Sequence, residues 1–151
     1  MNIEAVQEVL SDTRNCVHPA CIVCSPKNAR GLHMKFSIND DGSVKATFKC
    51  DKSLEGYPGM VHGGVIASIL DGAMGNCMFA HGRTTVTVEM ITKFRNPLTI
   101  GHEAVVSAKI TRASHPLYLL EAEISQDGKV KASAKGKYYD QPQLFGSDEV
   151  F

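Results

Sequence analysis

The stretch from Val61 to Met78 reads VHGGVIASILDGAMGNCM, and its apolar residues fall in pairs that repeat every four positions. This spacing predicts an amphipathic helix with one face in a core. Small residues flank the apolar face, and one carboxylate, Asp71, lies beside it. Two interior glycines, Gly72 and Gly75, each cost a helix about 1 kcal/mol relative to alanine. We therefore expect another backbone or a ligand close to them.

The start of this helix and its acid are both candidates for chemistry. His62-Gly63-Gly64 offers unpaired N–H groups that can bind a carbonyl oxygen as it becomes an oxyanion, or forms a plain tight turn. Asp71 is a catalytic candidate or a solvent-facing acid. Gly63 and Asp71 lie about 12 Å apart along the helix axis. A donor and a base that act on one carbon must both lie near it, so two antiparallel helices would have to share the site in a dimer.

Length and charge limit the class of protein. The chain has 151 residues, 16 basic against 16 acidic groups and a pI near 7.0. These values predict one main domain, and they argue against a general nucleic-acid or membrane-surface binder. The N-terminus lacks a cationic signal region, and we expect no membrane span. We therefore expect a cytoplasmic protein with five reduced cysteines.

Four potential zinc ligands, Cys16, His18, Cys21 and Cys24, lie within nine residues. Their spacing matches no common zinc-binding pattern, and no second ligand pair follows downstream. A reduced structural segment is therefore favoured over a metal site. A redox pair is a third possibility, although no βαβ pattern surrounds it. We expect no metal in the functional site and no ligand set near it.

The rest of the chain alternates between apolar and polar residues, as strands do. A short helix is expected over residues 2–10, two strands over 32–38 and 44–48, and four more strands after the central helix. The resulting α+β layer architecture divides into an N-terminal helix and cysteine-bearing lead-in (1–30), a main domain (31–140) and a C-terminal tail (141–151).

The last two strands are expected to form a hairpin around Gln126-Asp127-Gly128. A three-residue loop would pair Ile124 with Val130 and place every apolar side chain of the hairpin on one face. The other face carries four lysines, which form either a solvated edge or a phosphate-binding strip: Lys129, Lys131, Lys135 and Lys137.

Several motifs together resemble the single-domain hotdog-fold acyl-CoA thioesterases of the phenylacetate-pathway type (PaaI-like). They are GYPGMVHGG over residues 56–64, Asp71 nine residues after the histidine, TVEM over 87–90 and FRNP over 94–97. The lead-in CIVCSPKNARGL over 21–32 also resembles one found in bacterial members. The resemblance covers about residues 20–140.

This resemblance implies a long central helix wrapped by a curved antiparallel sheet, in a homodimer that is often a dimer of dimers. It implies hydrolysis of acyl-CoA thioesters without a cofactor. By position, the Gly63 N–H would polarise the thioester carbonyl. Asp71 of the other subunit would act as general base or nucleophile, and Thr87 would orient the water. The substrate-binding positions would be Gly56, His62, Gly64, Ser68 and Glu89.

Two positions depart from the family pattern. Gly56 stands where several members carry an Asn or Gln that helps to polarise the carbonyl, and Gly72 stands where the bacterial subgroup often has Glu. With Gly56, the chain lacks the side chain that serves as a second oxyanion donor in those members. Gly72 predicts a more open pocket floor.

Two other functions remain open at this stage. One is a non-catalytic acyl-CoA-binding or ligand-sensing hotdog protein, since a fold does not fix a function. The other is a hydratase or dehydratase, for which no His and acid pair is evident. The acyl group and its carrier, coenzyme A or a carrier protein, are not determined by the sequence.

Overall fold

The computed structural model describes residues 1–144, so most of the expected tail, from residue 145 on, lies outside the described residues. Two α-helices and six strands follow one another in the expected order. They are α1 (Ile3–Val17), β1 (Ser37–Ile38), β2 (Val44–Lys49), α2 (Gly63–Ala80), β3 (Thr85–Phe94), β4 (Glu103–Ser114), β5 (Leu117–Gln126) and β6 (Lys129–Asp140). Short 3-10 helices occupy Lys52–Leu54 and Pro142–Leu144.

The six strands form one antiparallel sheet in the order β1-β2-β4-β5-β6-β3. Strand β3 follows α2 in the chain but lies at the far edge of the sheet, next to β6. Helix α2 contacts β2, β3, β4, β5 and β6. The expected hotdog architecture, a long helix wrapped by an antiparallel sheet, is confirmed.

Helix α2 is the centre of the core. It begins directly after His62, and its fully buried side chains come from both sides of the apolar stripe: Ile69, Leu70, Ala73, Met74, Cys77 and Met78. By length and composition alone this helix is apolar enough to cross a membrane, with a mean hydropathy of 1.2, although no membrane span is expected from the sequence. More than half of the helix is buried inside the protein, as in a core helix.

The N-terminal region is longer and more tightly packed than expected. Helix α1 extends seven residues beyond the expected end, to Val17, and buries Leu10 and Thr13. The expected strand over 32–38 narrows to Ser37–Ile38, although its buried alternation persists at Met34 and Phe36. The reason is that the backbone of residues 32–34 bonds to the lead-in at Ile22 and Val23 instead of to the sheet.

The β5–β6 hairpin corrects the expected register. Gln126 pairs with Lys129 across a two-residue turn, and both turn residues, Asp127 and Gly128, have positive φ. This is the geometry of a type I′ turn. A bulge then pairs Ile124 with Ala132, so Val130 is 36% exposed instead of lying in the core. The bulge restores the inward alternation after a turn that would otherwise reverse it.

The two interior glycines of α2 differ in their surroundings. A Cβ on Gly72 would lie 2.5 Å from Cγ1 of Val23, whereas a Cβ on Gly75 would have no neighbour within 4 Å. Gly72 therefore meets the expectation of a close backbone segment, namely the lead-in. The expected open floor at this position was wrong, because the buried Val23 side chain fills it.

Alanine substitutions at the two glycines should have opposite effects. Gly72→Ala forces the branched, buried Val23 to move, and overpacking of this kind costs about 1–3 kcal/mol. Gly75→Ala meets open space and gains about 1 kcal/mol of helix propensity. Urea denaturation of both variants checks this. A Gly72→Ala protein that is as stable as Gly75→Ala would contradict the packing.

Candidate active site

The first candidate region is a cavity of about 760 Å³ at the start of α2. Its wall includes Gly56, His62, Gly63 and Phe94. His62 Nδ1 accepts a hydrogen bond of 2.8 Å from the Gly64 N–H, so His62 does fix the helix start. Among the described residues none accepts from the Gly63 N–H. The cap therefore uses the Gly64 donor and leaves the Gly63 donor available to the cavity.

Gly56 lies close to His62, the residue that caps helix α2. A Cβ at this position would lie 3.0 Å from Cα of His62 and 3.2 Å from its Cβ. Contacts this short would force the His62 backbone to move. An Asn or Gln at this position would therefore require His62 to move by a few tenths of an ångström.

The second candidate region is a cavity of about 860 Å³ on the flank of α2, and Ser68, Asp71 and Thr87 contribute to its wall. Asp71 Oδ1 accepts two short hydrogen bonds, one from the Thr87 hydroxyl at 2.7 Å and one from the Tyr138 hydroxyl at 2.7 Å. Asp71 Oδ2 receives none from any residue of the described range. One oxygen is held in place and the other is left for a ligand or water.

Tyr138 was missed by the sequence reasoning. Its side chain is 2% exposed, and burial together with the negative charge of Asp71 raises the pKa of Tyr138 well above its usual range. The phenol therefore stays protonated and donates. Gly136 makes room for it, because a Cβ there would lie 2.5 Å from the Tyr138 ring. The sequence did offer one signal for Tyr138. It is the inward-facing residue of β6 that follows three small inward-facing residues, Ala132, Ala134 and Gly136.

The remaining expected substrate-binding residues are spread more widely. Ser68 donates to the Gly64 carbonyl at 2.9 Å and lines the Asp71 cavity. Glu89 is exposed and forms an ion pair of 3.4 Å with Lys137, and neither cavity includes it. Gly64 lines neither cavity. A second lysine of the strip, Lys135, lies 3.8 Å from Glu121 and is likewise exposed.

The cysteine-bearing lead-in joins the wall of the Asp71 cavity, so the expectation that no ligand set lies near the site was wrong. Ligand atoms of His18, Cys21 and Cys24 all lie within 4.8 Å of one another. The hydrogen bond between the two thiols lowers the pKa of Cys21 and raises that of Cys24. Cys16 lines the same cavity but lies outside this group and is exposed.

The structure thus brings Asp71 and Thr87 together and keeps Gly63 apart, in another cavity of the same chain. This agrees with the separation of about 12 Å along the helix axis.

Comparison with known proteins identifies the family. The model of the thioesterase superfamily matches residues 58–133, half of the chain, including Gly63, Asp71 and Thr87. The chain belongs to the thioesterase superfamily. The chain is similar to a bovine (Bos taurus) protein named acyl-coenzyme A thioesterase THEM4, with 27% identity over 77 residues. That match covers 51% of this chain and 31% of the bovine protein, so the chain spans about a third of that relative's length.

Solved structures show the same fold. The PaaI protein of the E. coli phenylacetic acid degradation operon superposes with a TM-score of 0.75 over 90% of this chain and 96% of its own, at 17% identity. A Streptococcus pneumoniae hypothetical thioesterase, solved with coenzyme A, superposes with a TM-score of 0.67 over 72% of this chain and 88% of its own, also at 17% identity. The PaaI-like hotdog fold is therefore confirmed.

The raised pKa of Tyr138 predicts a loss of stability at high pH. The folded protein holds the phenol proton of Tyr138 more tightly than the unfolded chain does. The contribution of this group to the free energy of unfolding is therefore complete below about pH 10, the pKa of tyrosine in the unfolded chain. Above it, the free energy of unfolding should fall by up to about 1.4 kcal/mol per pH unit. Urea denaturation between pH 9 and 11 measures the slope.

Tyr138→Phe should remove this component of the slope, whereas Tyr139→Phe, at a neighbouring position that is 42% exposed, should retain it. Equal slopes in wild type and Tyr138→Phe would contradict the buried, protonated phenol.

Proposed function

We propose that this protein hydrolyses an acyl- or aryl-coenzyme A thioester to the free acid and coenzyme A. The observation that carries the proposal is the Asp71 carboxylate, in which two hydroxyl donors at 2.7 Å fix one oxygen and the other oxygen is free of described partners. Membership of the thioesterase superfamily and the name of the bovine relative support the reaction class.

Asp71 acts as the general base in this scheme. The bonds from Thr87 and Tyr138 hold Oδ1, so Oδ2 is presented in one orientation to a water molecule. As the water attacks the thioester carbon, its proton passes to Asp71 and then to the departing coenzyme A sulfur. Direct attack by Oδ2 on the thioester carbon is the alternative role. Neither route uses a metal or a bound cofactor.

The Gly63 N–H supplies the oxyanion donor. It lies at the positive end of α2, and the His62 cap leaves it free of described acceptors. A fixed N–H aimed at the developing negative charge stabilises the tetrahedral intermediate more than the ground state. Apolar side chains of the same cavity would take the acyl or aryl group: Met60, Val61, Ile66, Phe94 and Leu98.

The two groups meet only if two chains combine. Strand β3 forms one edge of the sheet and exposes three large apolar residues, Val88, Ile91 and Phe94, each more than half exposed. A ten-residue edge strand that exposes large apolar side chains is prone to pair with another chain. A second copy that pairs at this edge would extend the sheet and cover those residues.

The positions along β3 set the register of this pairing. Thr87 lies at the Asp71 cavity, while Phe94 lines the Gly63 cavity and packs beside Gly63. The two residues are about 23 Å apart along the strand. Antiparallel pairing centred between Met90 and Ile91 would place Thr87 opposite Phe94 of a second copy. Asp71 of one chain would then approach Gly63 of the other.

Asp71→Asn should lower kcat by at least about 10²-fold. Asparagine retains an oxygen that can accept from Thr87 and Tyr138, so fold and dimer should persist while the base is lost. Hydrolysis of a panel of acyl-CoAs with the purified variant measures this.

Thr87→Ala and Tyr138→Phe should each cost less than Asp71→Asn, because these residues orient the base and do not take the proton. Tyr139→Phe is the matched control and should be neutral. Near-normal turnover by Asp71→Asn would remove Asp71 from the mechanism. Coenzyme A ester binding without hydrolysis by the wild type would favour the non-catalytic function.

Two inactive variants should rescue each other if the site is shared. Asp71→Ala lacks the base, and Gly63→Pro lacks the donated N–H. After joint unfolding and refolding at equal amounts, about half of the dimers should be mixed, and each mixed dimer has one intact site. About a quarter of wild-type activity should therefore return.

Circular dichroism must first show that Gly63→Pro folds, and native mass spectrometry must show mixed dimers. If both conditions hold and no hydrolysis returns, the shared site is refuted.

A further inference from the structure

The lead-in forms a compact cluster of metal-binding groups outside the proposed catalytic set. His18 caps the end of α1, and Cys21 and Cys24 follow in the loop. The ligand atoms of all three lie within 4.8 Å of one another, and His18 Nδ1 is 3.6 Å from the Cys24 sulfur. In a tetrahedral zinc site with ordinary bond lengths, a sulfur and a nitrogen ligand lie about 3.5 Å apart. The distance between His18 Nδ1 and the Cys24 sulfur therefore matches a zinc site, and the other ligand-atom distances do not exceed 4.8 Å.

Neighbouring groups hold these ligands in place. The Val23 N–H donates to the Cys21 sulfur at 3.3 Å, which favours a thiolate at that atom. The His18 ring packs edge-to-face on Phe79, with 4.8 Å between ring centroids. Cys24 is 3% exposed. Such fixed surroundings raise metal affinity, because little ordering is needed on binding.

A buried polar atom beside the cluster lacks a partner. The Asn76 side chain is 1% exposed and lies next to Cys24, and its Oδ1 receives no hydrogen bond from any residue in the range 1–144. An unsatisfied buried oxygen destabilises the folded state. A donor beside this oxygen, such as a water molecule, would satisfy it.

We propose that His18, Cys21 and Cys24 bind one Zn²⁺ ion, with water in the fourth position. Two thiolates and an imidazole suit zinc better than calcium or magnesium, which prefer oxygen. Cys16 is not a ligand, since its sulfur lies outside the cluster.

We assign the ion a supporting role because of what its ligand segment packs against, although an open fourth position is otherwise typical of catalytic zinc sites. The lead-in residue Val23 packs against Gly72, the position that follows Asp71 in α2, so the ion would fasten the segment that supports the catalytic acid. This inference concerns the wall of the proposed active site and adds no step to its chemistry.

The test is metal binding by the whole chain, purified without an affinity tag and with all thiols reduced. Zinc analysis should give about one ion per chain, and Co²⁺ titration should give the intense thiolate-to-cobalt absorption of a tetrahedral site. Cys21→Ser and His18→Ala should each weaken Co²⁺ binding at least about tenfold. Chelation should lower the Tm of the wild type but not that of Cys21→Ser.

Cys16→Ser is the matched control, because Cys16 lines the same cavity but is not a proposed ligand. This variant should bind Co²⁺ as tightly as the wild type. Asp71→Asn should also bind Co²⁺ normally, which separates this inference from the proposed hydrolysis. The inference is overturned if the reduced wild type binds neither ion, or if Cys21→Ser binds as tightly as wild type. A Cys21–Cys24 disulfide that forms readily in the presence of Zn²⁺ would overturn it in favour of a redox pair.

Discussion

The burial of α2 against the sheet is the constraint on which the rest of the molecule depends. Side chains on both sides of its apolar stripe are inaccessible, so the helix can neither rotate nor slide without exposing core residues such as Leu70 and Met74. The positions of its two candidate site residues are fixed as a consequence. The N-terminus with Gly63 opens on one cavity, and Asp71 on the flank opens on another. The rigid helix therefore sets the distance between the Gly63 N–H and the Asp71 carboxylate, and in the proposed mechanism this distance requires the two groups to come from different chains.

The core and the proposed site share residues, which ties stability to chemistry. Tyr138 is buried in the core, yet its hydroxyl donates a hydrogen bond to Asp71. Its ring occupies space left by Gly136, and Met74 of α2 lies against the same point. A larger residue at 136 would therefore displace the phenol and release one of the two hydrogen bonds that orient the carboxylate. Placing a positioning group in the core keeps it rigid without help from solvent-exposed loops.

The lead-in has a packing role that its composition does not reveal. Val23 fills the space over Gly72, and backbone bonds from Leu32 and Met34 hold the segment in place. The space left by the missing side chain of Gly72 is thus filled by the side chain of Val23. The same segment carries His18 and both cluster cysteines to the wall of the Asp71 cavity. Packing and potential metal binding coincide in one short stretch.

The sequence by itself determined the central helix, its histidine start and the order of helices and strands, because hydrophobic period and turn residues are local signals. Its motifs also single out Asp71 and Thr87, whose side chains form a hydrogen bond of 2.7 Å in the structure. Only the tertiary structure decided the hairpin register, since a bulge reverses the inward face without changing the alternation on either side. Only the structure revealed Tyr138 and the Val23 contact, and only it reduced the four candidate ligands of the lead-in to His18, Cys21 and Cys24. Each of these joins residues far apart in the chain or across a loop, and sequence spacing carries no information about such distances.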